Sequence, residues 1–102
     1  MNFMNNMGNM NQLLAQARKL QEKVEKAQKD LETMEVIGVA GADAVIISLT
    51  GSGKLKTIKL NPEFVNAEDT ELLEDLILVA YNDARTKADK LYDETIKLAS
   101  ER

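Results

Sequence analysis

The 102-residue chain has no cysteine and no histidine, a single proline, and only four aromatic residues, two tyrosines and two phenylalanines. Without thiol or imidazole groups it has no disulfide and none of the usual nucleophile or zinc chemistry. Only all-oxygen sites for hard cations such as Mg²⁺ or Ca²⁺ are left open. These absences argue against most enzyme classes and agree with a reducing compartment.

The sequence also lacks a long apolar run and any targeting signal. No run approaches the ~20 residues that would span a bilayer. The first ten residues, MNFMNNMGNM, carry no positive charge and no continuous apolar stretch, unlike a signal or transit peptide. We therefore expect a cytoplasmic protein. A domain of this length has a modest core, so a partner subunit would help to stabilise it.

Charge is distributed unevenly along the chain. Thirteen basic and seventeen acidic residues give a net charge of −4, which on its own argues against a nucleic-acid partner. Seven of the acids lie in residues 63–84, which contain no lysine or arginine, so the remaining residues sum to +3. No ordered metal-binding loop is visible among these acids, and several suit the start of a helix. They are Glu63, Glu68, Asp69, Glu71, Glu74, Asp75 and Asp83.

Apolar residues recur at alternating gaps of three and four along the first third of the chain, which is the pattern of a coiled-coil seam. We predict a helix from about residue 9 to residue 34. Methionines at positions 1, 4, 7 and 10 have a spacing that would suit a helical extension with a methionine stripe. Asparagine and Gly8 oppose helix formation, so a flexible tail is predicted over residues 1–8. The seam is formed by Met10, Leu13, Ala17, Leu20, Val24, Ala27, Leu31 and Met34.

After the predicted first helix, the period at which apolar residues recur changes from 3.5 to 2. Three antiparallel strands in a meander are predicted at Val36–Ala40, Val45–Leu49 and Leu55–Leu60, because short glycine-containing turns separate them. Residues 9–102 thus form a single α-β-β-β-α domain.

A second helix is predicted from Asn66 or Asp69, either of which can cap it, to about residue 99. Ala80, Ala84 and Ala88 lie one turn apart and form a smooth strip on it. The fold class is α+β. Both helices are longer than the strands, so they should overhang the sheet and pair as an antiparallel arm. Two arms on a symmetric dimer would form a pair of pincers.

Lysines on the first helix are candidates for binding an anion. Lys19, Lys23 and Lys26 are four and three residues apart and share one face, where like charges are unfavourable without a partner such as phosphate. The alternative is that they belong to ordinary ion pairs with glutamates one turn away on a solvated surface. Basic residues of the last helix alternate with acids. Only pairing of the first and last helices would bring these basic residues close to the lysines of the first helix.

The order of elements, together with short sequence words, resembles the YbaB/EbfC family of bacterial nucleoid-associated proteins, over nearly all of the chain. The resemblance implies a homodimer in the bacterial cytoplasm that binds duplex DNA, associates with the nucleoid and affects gene expression without catalysis or a cofactor. The words are Gly8-Asn9-Met10, Leu31, Glu35-Val36 followed by Gly38, Ile58-Lys59-Leu60-Asn61-Pro62, Leu72-Leu73-Glu74-Asp75-Leu76 and Tyr81-Asn82-Asp83-Ala84.

By position, the resemblance implies that the first and last helices approach DNA, and we expect mainly phosphate contacts. No metal, small-molecule substrate or membrane partner is expected. The implied DNA-binding residues are Arg18, Lys19, Lys23, Lys26, Arg85, Lys87 and Lys90. The expected dimer interface consists of Val45, Ile47, Leu49, Ile58, Leu60, Leu76, Ala80 and Ala84.

A coiled-coil interaction module is the alternative function, with helical arms that grip a protein as prefoldin subunits do. It accounts better for the net acidity. It predicts apolar arm tips, formed by the methionine-rich N-terminus beside Leu91, Tyr92 and Ile96. An enzyme has the least support, because no constellation gathers the available carboxylates, lysines and hydroxyls.

Overall fold

The computed structural model describes the backbone of residues 3–101 and the side chains of residues 9–101. It confirms the predicted α+β fold of a long helix, a three-stranded antiparallel meander and a second long helix, in a shape of 79 × 20 × 17 Å. The elements are α1 (Phe3–Thr33), β1 (Glu35–Ala40), β2 (Val45–Thr50), β3 (Leu55–Leu60), a 3-10 turn (Pro62–Phe64) and α2 (Thr70–Glu101).

The ends of the helices differ from the sequence prediction mainly at the N-terminus. Helix α1 begins at Phe3 rather than near residue 9, so its backbone passes through Gly8 without a break. The flexible tail over residues 1–8 and the single-domain division stay predictions, and Met1 and Asn2 lie outside the described residues. Helix α2 starts where expected, because the Asp69 carboxylate accepts a hydrogen bond from the Leu72 amide at 3.3 Å.

The core lies between α2 and one face of the sheet. The register pairs Gly38 with Ile47 and Ile47 with Ile58, which places these residues on the same face. Helix α2 crosses this inner face over β1 and β2 and leaves β3 largely uncovered. The predicted alanine strip faces the sheet, and its three members, Ala80, Ala84 and Ala88, are completely buried.

Gly38 lets the α2 backbone approach the sheet very closely. A Cβ atom at position 38 would overlap the carbonyl oxygen of Ala80 and the amide nitrogen of Ala84. It would also lie 2.7 Å from the Cβ of Ala84. Main chain therefore packs on main chain, which only glycine and alanine allow.

The outer edge of β1 is closed by side chains of α2. The Val39 amide donates a hydrogen bond to the Asp83 carboxylate at 3.1 Å. The Lys87 ammonium donates to the Ile37 carbonyl at 2.8 Å and also contacts Asp83 at 3.2 Å. Backbone groups that an edge strand usually leaves free are thus occupied on this side of the sheet.

This closed edge leads to a pH prediction. The Val39 amide, and after it the Lys87 ammonium, lowers the pKa of Asp83 from its ordinary value of 3.8. Asp83 therefore contributes stability above its unfolded-state pKa, and this is lost as the pH falls through the lower folded-state pKa. On acidification below pH 3.8, the thermal midpoint of the wild type should fall more steeply than that of Asp83→Asn. Asp75→Asn, on the exposed surface of α2, is the matched control, and parallel curves for wild type and Asp83→Asn would contradict the assignment.

The predicted helical arm forms over only part of α1. The Gln28 amide donates a hydrogen bond to the Tyr92 hydroxyl at 3.3 Å, and Leu31 meets Leu91 beside Gly51. Helix α2 ends near the level of Lys23 and Leu20, because Lys23 shares a groove with Ala99. The residues of α1 that precede Leu20 therefore extend beyond α2 for about 25 Å.

The seam is consequently buried only at its C-terminal end. Ala27 and Leu31 are buried, whereas Met10 and Leu13 are 63% and 64% exposed. The prediction that the N-terminus lies beside Leu91 is wrong, since Met10 is about 30 Å along the helix axis from the Leu31–Leu91 contact. The parts of both helices that extend past the sheet were predicted to pair along their length. This prediction is confirmed for α2 and wrong for the first half of α1.

Candidate nucleic-acid interface

The candidate lysines of α1 lie along one side of the helical arm. Lys23 and Lys26 line a groove of about 390 Å³ between α1 and α2, which Thr95 and Leu98 bound on the side of α2. Lys19 lies one turn further toward the free end of α1. Among the described residues, none of these lysines forms a salt bridge, so their ammonium groups are available to an anion.

Arg85 and Lys87 of α2 lie on opposite flanks of that helix. They are two residues apart, which corresponds to a rotation of about 200°. Arg85 contacts the Asp89 carboxylate at 3.1 Å and donates to the Gly53 carbonyl at 3.5 Å, on the side of the β2–β3 turn. Lys87 lies at the β1 edge instead. The structure therefore does not bring these two predicted DNA contacts together.

The α1 lysines lie on the Lys87 side of the arm. Tyr92 is seven residues after Arg85 and so shares its flank, and Tyr92 contacts Gln28 of α1. Lys26 is two residues from Gln28 and projects to the other side. Lys90 follows Lys87 by three residues and shares its flank.

We call Lys19, Lys23, Lys26, Lys87 and Lys90 the arm row, in which the Lys87 ammonium is already bound at the β1 edge. By helical rise it extends about 21 Å along the arm, because Lys19 lies near the level of residue 101. Arg85 lies outside the row. Arg18, next to Lys19, is exposed on the part of α1 that extends beyond α2.

A third group of basic residues, which reasoning from the helices missed, lies on β3. Lys54, Lys56 and Lys59 flank Leu55, Ile58 and Leu60 in sequence, and simple alternation would put Lys56 and Lys59 on opposite faces. The register shift beside Ser48 and Leu49 adds one residue to β3, so all three lysines lie on the face of the sheet opposite α2. We call this the open face. The signal was present in the sequence, because residues 44–62 contain these three lysines and no acid.

Most of the residues expected at a dimer interface are occupied inside one chain. Val45, Ile47, Leu49, Ala80 and Ala84 are buried in the core described above. They therefore offer no surface to a second copy. The remaining three are more accessible, since Leu76 is half-buried and Ile58 and Leu60 are 46% and 40% exposed.

Two of these accessible residues, Ile58 and Leu60, belong to an apolar groove beside α2. Leu55, Ile58 and Leu60 form its floor, where β3 is uncovered by α2. Leu78 and Tyr81 precede Arg85 by seven and four residues, so they lie on the flank of α2 that faces this side of the sheet. Leu78 is 59% exposed. These five residues are called the β3 groove, and sequence reasoning missed Leu55, Leu78 and Tyr81.

Other kinds of site have no counterpart in the part of the chain that the structure describes. There, no group of three or more acids is placed to hold a metal ion. Neither helix combines the length and apolarity of a membrane span over the same residues.

Comparisons with known proteins agree with this architecture. The sequence profile of the YbaB/EbfC DNA-binding family matches residues 7–101. A nucleoid-associated protein of Gluconobacter oxydans is 42% identical over 60 residues, which are 59% of this chain and 56% of that protein. A nucleoid-associated protein of Rhodospirillum centenum is 48% identical over 62 residues, 60% of this chain and 58% of that one. The matched segments thus span a little over half of these relatives.

The fold also occurs in a solved structure. A crystal structure of an uncharacterized protein from Helicobacter pylori superimposes with a TM-score of 0.67, covering 92% of this chain and 91% of that one. The two sequences are 16% identical, so this likeness concerns the fold alone.

Proposed function

Since the chain belongs to the YbaB/EbfC DNA-binding family, we propose that it is a non-enzymatic, nucleoid-associated protein that binds duplex DNA as a homodimer in the bacterial cytoplasm and influences gene expression. The observation that carries this proposal is the family match over residues 7–101. The naming of relatives such as those of Gluconobacter and Rhodospirillum as nucleoid-associated supports the cellular role.

Phosphate contacts suit the chemistry of the arm row. Lysine ammonium groups act as point charges and recognise phosphate without the fixed fork geometry of arginine. The row of about 21 Å is a little under two-thirds of a turn of B-DNA, which rises about 34 Å per turn. Binding of this type depends little on sequence and weakens steeply with salt.

The β3 groove supports homodimer formation. It exposes five large side chains on a small domain, and a two-fold axis would place each groove against its counterpart. The opposite edge of the sheet is unsuited to strand pairing, because Asp83 and Lys87 already bond to Val39 and Ile37. In the resulting dimer each subunit contributes one helical arm.

Charge reversal in the arm row tests the DNA contacts. The triple variant Lys19→Glu, Lys23→Glu, Lys26→Glu should bind a labelled 30-base-pair duplex at least about a hundredfold more weakly than the wild type does. A duplex of this length has about three helical turns. The slope of log affinity against log salt should fall by about 6, one unit for each lost phosphate contact, because each of the two subunits loses three. Fluorescence anisotropy at low and near-physiological salt measures both, and circular dichroism checks the fold.

The single variants Lys23→Glu and Lys29→Glu provide a matched control. They make the same charge change on the same helix, about 120° apart. Lys29→Glu should leave the affinity within about twofold of wild type, since long-range effects of one exposed charge are screened. Equal loss in both variants would show that net charge, and not the arm row, determines binding.

Absence of DNA binding by the wild type at either salt concentration would favour the second candidate function, a protein-interaction module. One observation supports that candidate. The seam residues Met10 and Leu13 are exposed on the unpartnered part of α1, where a helix of another protein could pack.

A further inference from the structure

We propose that the open face of the sheet is a second phosphate-binding surface for DNA, formed by Lys54, Lys56 and Lys59 and separate from the arm row. This inference rests on the proposed DNA binding. Neither the family match nor the implied contacts on the helices assigns a role to these lysines. The lysines of this surface lie in a stretch of sequence that has no acidic residue, whereas both helices contain acids.

The arrangement of the lysines follows from strand geometry. Lys54 and Lys59 are five residues apart on one extended strand, so their Cα atoms are separated by about 17 Å. One strand of B-DNA carries a phosphate about every 3.4 Å of helix axis, but the backbone winds around that axis, so a straight line of this length faces about two or three phosphates of one strand. A phosphate backbone that runs along β3 can therefore meet all three ammonium groups.

Local charge favours an anion on this face. Among the described residues, the acid that contacts one of these lysines is Glu35, which lies 3.6 Å from Lys56 across β2. Both side chains are 45% exposed, so this pair holds Lys56 only weakly. Lys54 and Lys59 form no salt bridge among the described residues. The arm row, by comparison, lies next to Glu22, Glu25 and Asp30 on the same helix.

Hydroxyl groups complete a surface suited to phosphate. Ser48 and Thr57 lie opposite each other in the register, and their hydroxyl oxygens are 2.6 Å apart. Thr57 is exposed, so its hydroxyl can also reach a phosphate oxygen. Hydroxyls are common donors to the DNA backbone and contribute no base specificity.

A second copy of the chain is a poorer occupant of the open face. Ile37 and Val39 are exposed there and could pack against a protein. A face-to-face pair would, however, enclose six lysines with only two glutamates, and uncompensated charges are costly to bury. In the proposed dimer the two β3 strands lie beside the two-fold axis instead, so the lysines of both subunits are free to face one DNA duplex.

The test is the double variant Lys54→Gln, Lys59→Gln, with Lys56 retained so that its contact with Glu35 is preserved. Anisotropy with the same duplex should show affinity about tenfold weaker at low salt and a salt slope smaller by about 4, because each of the two subunits loses two phosphate contacts. The variant Lys54→Arg, Lys59→Arg keeps the charges and should bind as the wild type does. The control Lys29→Glu, which lies about 120° around α1 from Lys23, makes the same net charge change of −2 and should retain the wild-type slope.

The possible outcomes are distinct. A double glutamine variant with wild-type affinity and slope, in a wild type that binds DNA, overturns the open-face proposal alone. A wild type that binds no duplex overturns the proposed function and this inference together. A loss of the same size in the charge control also overturns it, because the effect would then reflect net charge.

Discussion

Replacing Gly38 with alanine is expected to lower the free energy of unfolding by about 3 kcal/mol, the upper part of the usual range for overpacking. The added methyl group has no room, because it would overlap the main-chain atoms of Ala80 and Ala84. Helix α2 would have to move off the sheet along the whole alanine strip. For a domain of this size, that corresponds to a thermal midpoint lower by about 12–24 °C.

The direction of this change in the free energy of unfolding distinguishes the close approach of α2 to Gly38 from the usual effect of replacing glycine with alanine. In a strand without such packing, alanine is better than glycine by about 0.5–1 kcal/mol. Gly8→Ala, in helix α1, is the control and should raise stability by up to about 1 kcal/mol. Ala84→Gly should not rescue Gly38→Ala, since the main-chain overlaps remain. Wild-type stability of Gly38→Ala would contradict the described packing of α2.

Placing a charge in the β3 groove is expected to abolish the proposed dimer. Ile58→Asp introduces a carboxylate on the floor of the groove, and burying it without a partner is strongly unfavourable. Analytical ultracentrifugation should report a monomer where the wild type is a dimer. DNA affinity should fall by about 100-fold or more, because two arms on one particle bind with a high effective concentration.

Leu72→Asp is the matched control for the groove variant. Leu72 is 49% exposed, close to the 46% of Ile58, and lies about 140° around α2 from the Arg85 flank. The same charge at this position should leave both the mass and the DNA affinity unchanged. A dimeric Ile58→Asp, or a monomeric wild type, would contradict the assignment of the groove.

The arrangement of the elements was readable from the sequence because two periods are sharply separated. The seam from Met10 to Met34 predicted a long helix, and the alternation from Val45 to Leu60 predicted the meander. What the seam could not predict is its partner. Apolar spacing is the same at Leu13 and Leu31, yet only Leu31 is covered, since the length of α2 decides where the pairing ends.

The candidate sites were harder to predict for related reasons. The spacing of Lys19, Lys23 and Lys26 placed them on one face of a helix, whereas Arg85 and Lys87 are close only in sequence and project to opposite flanks. Alternation showed which residues of β2 share a face with Ile58. It could not show that the chain's own helix covers Ile47 and leaves Ile58 open, because coverage depends on the path of α2 across the sheet.

The closed β1 edge has a consequence for how large an assembly can grow. A meander has two edge strands, and a sheet that can add strands on both sides can extend into a fibre. Here Asp83 and Lys87 occupy the Val39 amide and the Ile37 carbonyl, so the β3 side is the more open of the two to another chain. Association through the β3 side alone stops at two molecules, because their pairing covers the β3 edge of each and leaves no open edge for a third molecule.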